Sequence, residues 1–152
     1  MSVIQQDTNV LIEDCNLELL NSISEKLLYT NCDLTESQTD LLIKLSFKNA
    51  SSAYKCLSWS GRYNSLTKNQ RIKLLEIIIE NDFDYLIKLF NSDYTKRIKL
   101  YEMKFIESVL STQKLKKIME VIYQKNPEKL KKLCQQTKSG KMEKIFIMLE
   151  LM

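Results

Sequence analysis

Asp84-Tyr-Leu-Ile-Lys-Leu89 is a short apolar phrase with a helical spacing, and the chain uses its pattern three times. It stands also at Asp40-Leu-Leu-Ile-Lys-Leu45 and, more loosely, at Glu128-Lys-Leu-Lys-Lys-Leu133, each 44 residues after the last. The register persists outside the phrase. Lys73-Leu-Leu-Glu-Ile-Ile-Ile79 overlays Lys117-Ile-Met-Glu-Val-Ile-Tyr123, Tyr54 aligns with Ile98 and Met142, and Leu57 aligns with Tyr101 and Ile145. Within it, Ile72, Leu75, Ile78 and Ile79 form one stripe and Ile98, Tyr101, Phe105 and Val109 another. A recurrence every three or four residues puts such side chains on one face of a helix.

The chain therefore reads as all-α: a helical bundle, or a short three-unit helical-repeat, solenoid-like domain, of about seven to nine helices. The repeat segments would lie near 17–60, 68–110 and 113–152 within a single domain spanning 1–152. Leu, Ile and Lys are so common here that a six-residue match can arise by chance, and the first segment lacks a counterpart of 73–79 without a gap, so bundle and repeat both stay open. The period resembles that of HEAT and armadillo solenoids, which stack helical pairs or triplets of such length. No residue signature of those families is present.

Helix starts are marked. Thr35-Glu-Ser-Gln38 and Thr67-Lys-Asn-Gln70 each read as a capping box, in which the threonine hydroxyl accepts the third N–H and the glutamine reaches back. Asn126-Pro127-Glu128 is a third start, with Asn as cap and Pro where its missing N–H is harmless. Gly140 is expected at a helix end or turn before the last helix. With two Gly and one Pro in 152 residues, a fold of many tight hairpins lacks its turn residues.

Composition narrows the class. The 44% apolar and 28% charged shares are those of a globular chain, and its length suits one domain. Met1 to Asn9 is polar and no apolar run approaches the roughly 20 residues of a membrane span, so an intracellular protein, cytoplasmic or nuclear and without membrane contact, is expected. Cys15, Cys32, Cys56 and Cys134 are widely spaced and read as small buried hydrophobes; with no histidine, a metal site is not expected. Ala, Gly, Pro and Arg, the residues of GC-rich codons, total eight, which suggests an AT-rich genome such as that of a large DNA virus or a parasite.

Catalysis is the class least supported. Absence of histidine removes the commonest general base, two glycines cannot build a phosphate-cradling loop, and Asp82 and Asp84 are accounted for by a helix start. No catalytic residue, cofactor or metal is assigned. Two candidate binding regions remain. Ser51 to Tyr63 holds the only Trp, and Tyr54, Trp59, Arg62 and Tyr63 are of the types enriched at protein-interface hot spots, though they could equally close one end of a core. Between Gln113 and Lys144, ten lysines face three glutamates, and Lys114, Lys117, Lys125, Lys129 and Lys132 are the candidate basic patch. Residues 1–50 carry a net −5 and residues 51–152 a net +9.

The expected function is non-enzymatic protein binding by a helical module, as a small regulatory or host-modulating factor if the source is viral. The alternative is nucleic-acid binding through the Lys-rich segment, weak and non-specific because lysine without arginine or interleaved aromatics attracts phosphates but does not read bases. The carboxy-terminal run Ile145-Phe-Ile-Met-Leu-Glu-Leu-Met152 is apolar around nearly its whole circumference and is expected to be buried, in the protein's own core or in a contact with a second copy, as a homodimer, or with a partner.

Overall fold

The computed structural model describes Lys26, residues 35–46 and residues 50–152; Cys15, Cys32 and residues 17–34 of the first expected repeat segment, Lys26 apart, lie outside the described residues. Those residues form ten helical segments and no strand: α1 (Glu36–Ser46), α2 (Ala50–Ser58), α3 (Ser60–Ser65), α4 (Lys68–Asn81), α5 (Phe83–Phe90), α6 (Tyr94–Arg97), α7 (Leu100–Val109), α8 (Thr112–Lys125), α9 (Pro127–Thr137) and α10 (Gly140–Glu150). The fold is all-α, as the periodicity requires. The chain divides into two compact units, Met1–Asp82 and Phe83–Met152, with a boundary inside the second expected repeat segment. Among the described residues, no helix is long and apolar enough to cross a membrane.

In the first unit α2 packs on α1 and α4, and α1 also packs on α4. Leu42, Leu57, Leu74, Leu75 and Ile78 are buried there, each worth roughly 1.5 to 3 kcal/mol when removed from water. Both threonine capping boxes are present. Gln38 N donates to Thr35 Oγ1 at 3.2 Å while Thr35 N donates to Gln38 Oε1 at 3.0 Å, and Thr67 and Gln70 make the same exchange at 3.2 and 2.8 Å. Gln70 Nε2 also donates to Asp40 Oδ1 at 3.1 Å, joining α4 to α1.

In the second unit α8 is the central helix. It packs on α5, α9 and α10, while α9 packs on α7 and α10. Leu115, Ile118, Met119 and Ile122 of α8 are all fully buried. The α8–α9 corner turns on Asn126, whose N–H donates to Ile122 O at 2.7 Å to end α8 and whose Oδ1 accepts from Lys129 N at 3.1 Å to start α9. Pro127 stands at the first helical position. Gly140 does not end a helix. α9 ends at Thr137, the left-handed position is Lys138 (φ 54°), and Ser139 caps α10, of which Gly140 is the first residue. One helical turn thus closes without its usual glycine.

Local structure follows the 44-residue offset closely. Lys68–Asn81 and Thr112–Lys125 match residue for residue; Thr67 and Ser111 cap them, and Asp82 (φ −158°, ψ 98°) and Asn126 (φ −158°, ψ 84°) end them. Leu74, Leu75 and Ile78 are buried, as are Ile118, Met119 and Ile122; so are Leu86, Leu89 and Phe90, and Leu130, Leu133 and Cys134.

Candidate functional site

The aromatic segment of the first unit is largely internal. Tyr63 and Arg62 are 1% and 4% exposed, whereas Tyr54 and Trp59 are half-buried. The Arg62 guanidinium lies 5.1 Å from the Trp59 ring centroid, and that of Arg71 lies 4.2 Å from the Tyr63 ring. Arg71 also donates from Nε and Nη2 to Tyr63 O at 3.2 and 2.8 Å. Two of the three arginines in the chain are therefore used to brace this corner, and Tyr54 and Trp59 are the parts of the sequence candidate left within reach of solvent.

The basic patch is divided among elements. Lys114, in the first turn of α8, places its ammonium 5.2 Å from the Phe83 ring. Lys117 is exposed on the same helix. Lys125 lines a small cavity of about 110 Å³ with Ser92, Thr95, Lys96 and Asn126. Lys129 lies near Lys99, which precedes α7 and lies outside the Lys-rich segment; burial and the Lys99 and Lys132 ammoniums hold Lys129 below its ordinary pKa, with Glu102 acting the other way. Sequence proximity could not find Lys99, since folding, not order along the chain, brings it to α9.

A further surface lies on α9 and α10, and it includes part of the carboxy-terminal run that the sequence offered as core or contact. Polar contacts hold the start of α10, where Ser139 Oγ donates to Glu107 Oε1 at 3.2 Å and Lys141 Nζ donates to Leu110 O at 3.0 Å; further along, the Tyr123 and Phe146 rings meet edge-on at 6.2 Å. Met142, Ile145 and Leu149 are buried. The rest of the run is not covered by the described residues: Ile147 is 52% and Met148 50% exposed, and Leu151 and Met152 more so, so the helix is only partly in the protein's own core. Among the described residues only α8 and α9 cover the helix substantially, and they take one face.

Beside this strip a groove of about 460 Å³ runs between α9 and α10, with Cys134, Phe146 and Ile147 as its apolar part and Lys131, Gln135, Lys138 and Glu143 as its polar part. Cys134 itself is a structural thiol. Burial first, and Glu143 second, push its pKa from the usual 9.0 to about 11, so it stays protonated and unreactive at neutral pH.

Comparison with protein-family models, with curated proteins and with solved structures found no match.

Proposed function

We propose that the chain is a non-enzymatic protein-binding module and that it binds through the α9–α10 surface. The observation that carries this reading is the contiguity of Ile147 and Met148, both half exposed, with a groove of about 460 Å³ that has an apolar lining and charged walls. Large apolar side chains left at the surface beside a concave site mark interaction surfaces more often than scattered single ones do. A helix laid into such a groove is a recurrent form of peptide recognition. Tyr54 and Trp59 offer a smaller second surface in the first unit.

Selection of a randomised peptide library on the full chain tests the reading. Peptides should be enriched, and they should lose binding to an Ile147→Asp variant whose circular dichroism is unchanged. No enrichment, or peptides that depend on Trp59 and not on Ile147, would refute it.

A second reading, phosphate-directed binding of nucleic acid, is favoured by the proximity of Lys99 and of Lys132 to Lys129 and by the ten lysines of the segment Gln113 to Lys144. Its mark would be an affinity for a single-stranded oligonucleotide that falls steeply with salt and is indifferent to sequence. An affinity insensitive to salt would remove it.

A further inference from the structure

We propose that the 44-residue register is a stacking repeat, that the α9–α10 face is a step of it left open among the described residues, and that this face receives an acidic amphipathic helix from a partner protein. The helix would sit as α8 and α9 sit on α5 and α7. The inference rests on the reading of this face as a protein-binding surface and gives the partner its chemistry.

The offset carries α5 onto α9 and the α6–α7 segment onto α10. Within the second unit the earlier face is closed, because α8 packs on α5 and α9 packs on α7. Met103 and Ile106 of α7 are fully buried, yet 44 residues on, Ile147 is 52% exposed and Glu150 is exposed. The same positions of the pattern therefore have a cover at one place and, among the described residues, none at the other.

The interior differs in a matching way. Phe90 and Tyr94 fill the earlier face, their rings edge-on at 5.4 Å, and the Tyr94 hydroxyl donates to Glu102 Oε2 at 2.5 Å. Adding 44 replaces Phe90 by Cys134, Tyr94 by Lys138 and Glu102 by Phe146, and these three replacements all line the groove. Two buried rings have given way to a thiol and a lysine, which leaves room for side chains brought from outside.

Charge chooses the partner. Lys131 and Lys138 stand at the groove against one glutamate, Glu143, in a segment of ten lysines and three glutamates. An acidic helix is attracted there, while the same lysine-rich face of a second copy would bring lysines against lysines. The concave form fits a helix better than the flat surface of an anionic membrane.

The register itself supplies the probe: a peptide of residues 112–125, the helix that covers α5, with its four lysines replaced by glutamate. Its twin keeps the lysines, and a third peptide has the acidic composition with the apolar residues scrambled. Fluorescence anisotropy on the full chain should show the acidic peptide binding at least tenfold more tightly than either control. Lys131→Glu should weaken that binding about tenfold, and Ile147→Asp should abolish it.

Equal binding of the acidic and lysine peptides, still dependent on Ile147, overturns the partner's charge and leaves the protein-binding reading standing. Equal binding of the scrambled acidic peptide overturns the stacking register. Absence of binding by all three overturns the inference, and the library selection then decides the broader reading. Self-association that is lost in Ile147→Asp and is not displaced by the peptide overturns it in favour of a dimer. Ile147-dependent adsorption to phosphatidylserine vesicles, unaffected by the peptide, overturns it in favour of a membrane.

Discussion

Met103 and Ile147 occupy the same place in the 44-residue pattern, one fully buried in α7 and the other 52% exposed in α10. Both are large, apolar and helical, so their different fates come from what packs on them and not from their own chemistry. α9 covers α7; on α10 the corresponding face is open among the described residues. An apolar residue in a helix is a demand for a cover, and the second unit meets that demand once from within.

The contrast should be plainest in stability. Met103→Ala removes a fully buried side chain and should lower the unfolding free energy by about 2 to 5 kcal/mol, whereas Ile147→Ala should stay within about 0.5 kcal/mol. Urea denaturation of the two variants measures this. Equal losses would mean that Ile147 is covered and would end the comparison.

Tyr94→Phe sharpens it next. The phenol donates to Glu102, which is fully buried and whose other oxygen accepts from Lys99 N at 3.1 Å. Loss of that donor removes a hydrogen bond to a buried carboxyl and should cost about 1 to 3 kcal/mol. Phe146 has no polar group to make such a bond with Lys138, so Lys138→Ala, which keeps the Cβ at this left-handed position, should cost less.

A smaller effect concerns pH. Cys134 has a folded-state pKa of about 11 against 9.0 ordinarily. A raised pKa means the folded state keeps the proton longer, so this contribution to stability is complete below pH 9 and is lost as pH rises towards 11. The loss should amount to about 2 kcal/mol or less, and Cys134→Ala, measured by thermal unfolding across that range, should flatten it.

Legibility in the sequence was greatest where local chemistry decides. The threonine boxes at Thr35 and Thr67 and the Asn126-Pro127 start occur as their residue types require, because capping involves only residues three apart. Lys138 was not legible. A lysine seldom adopts a left-handed conformation, and Gly140, two residues on, carried the stronger turn signal. The groove was hidden for another reason: each of Cys134, Lys138 and Phe146 is unremarkable alone, and only alignment with Phe90, Tyr94 and Glu102 shows what has been exchanged. In the first unit, Arg62 and Tyr63 have the composition of a hot spot and the burial of a core, a distinction residue type does not make.

The smallest effects test the equivalence of the two 14-residue helices. Thr67→Ala and Ser111→Ala each delete a side-chain acceptor, for Gln70 N and Lys114 N respectively, and should each cost about 1 kcal/mol. Thermal unfolding of the pair should give similar losses, with Thr67 the larger because its box also uses Gln70.

Methyl spectra test the open face most directly. With isoleucine and methionine methyls labelled in the full chain, titration with the glutamate-substituted 112–125 peptide should move Ile147 and Met148 and leave Met103 and Ile106 in place. Shifts centred on other methyls, or a spectrum unchanged at saturating peptide, would contradict the assignment of α9–α10 as the surface that takes up a helix.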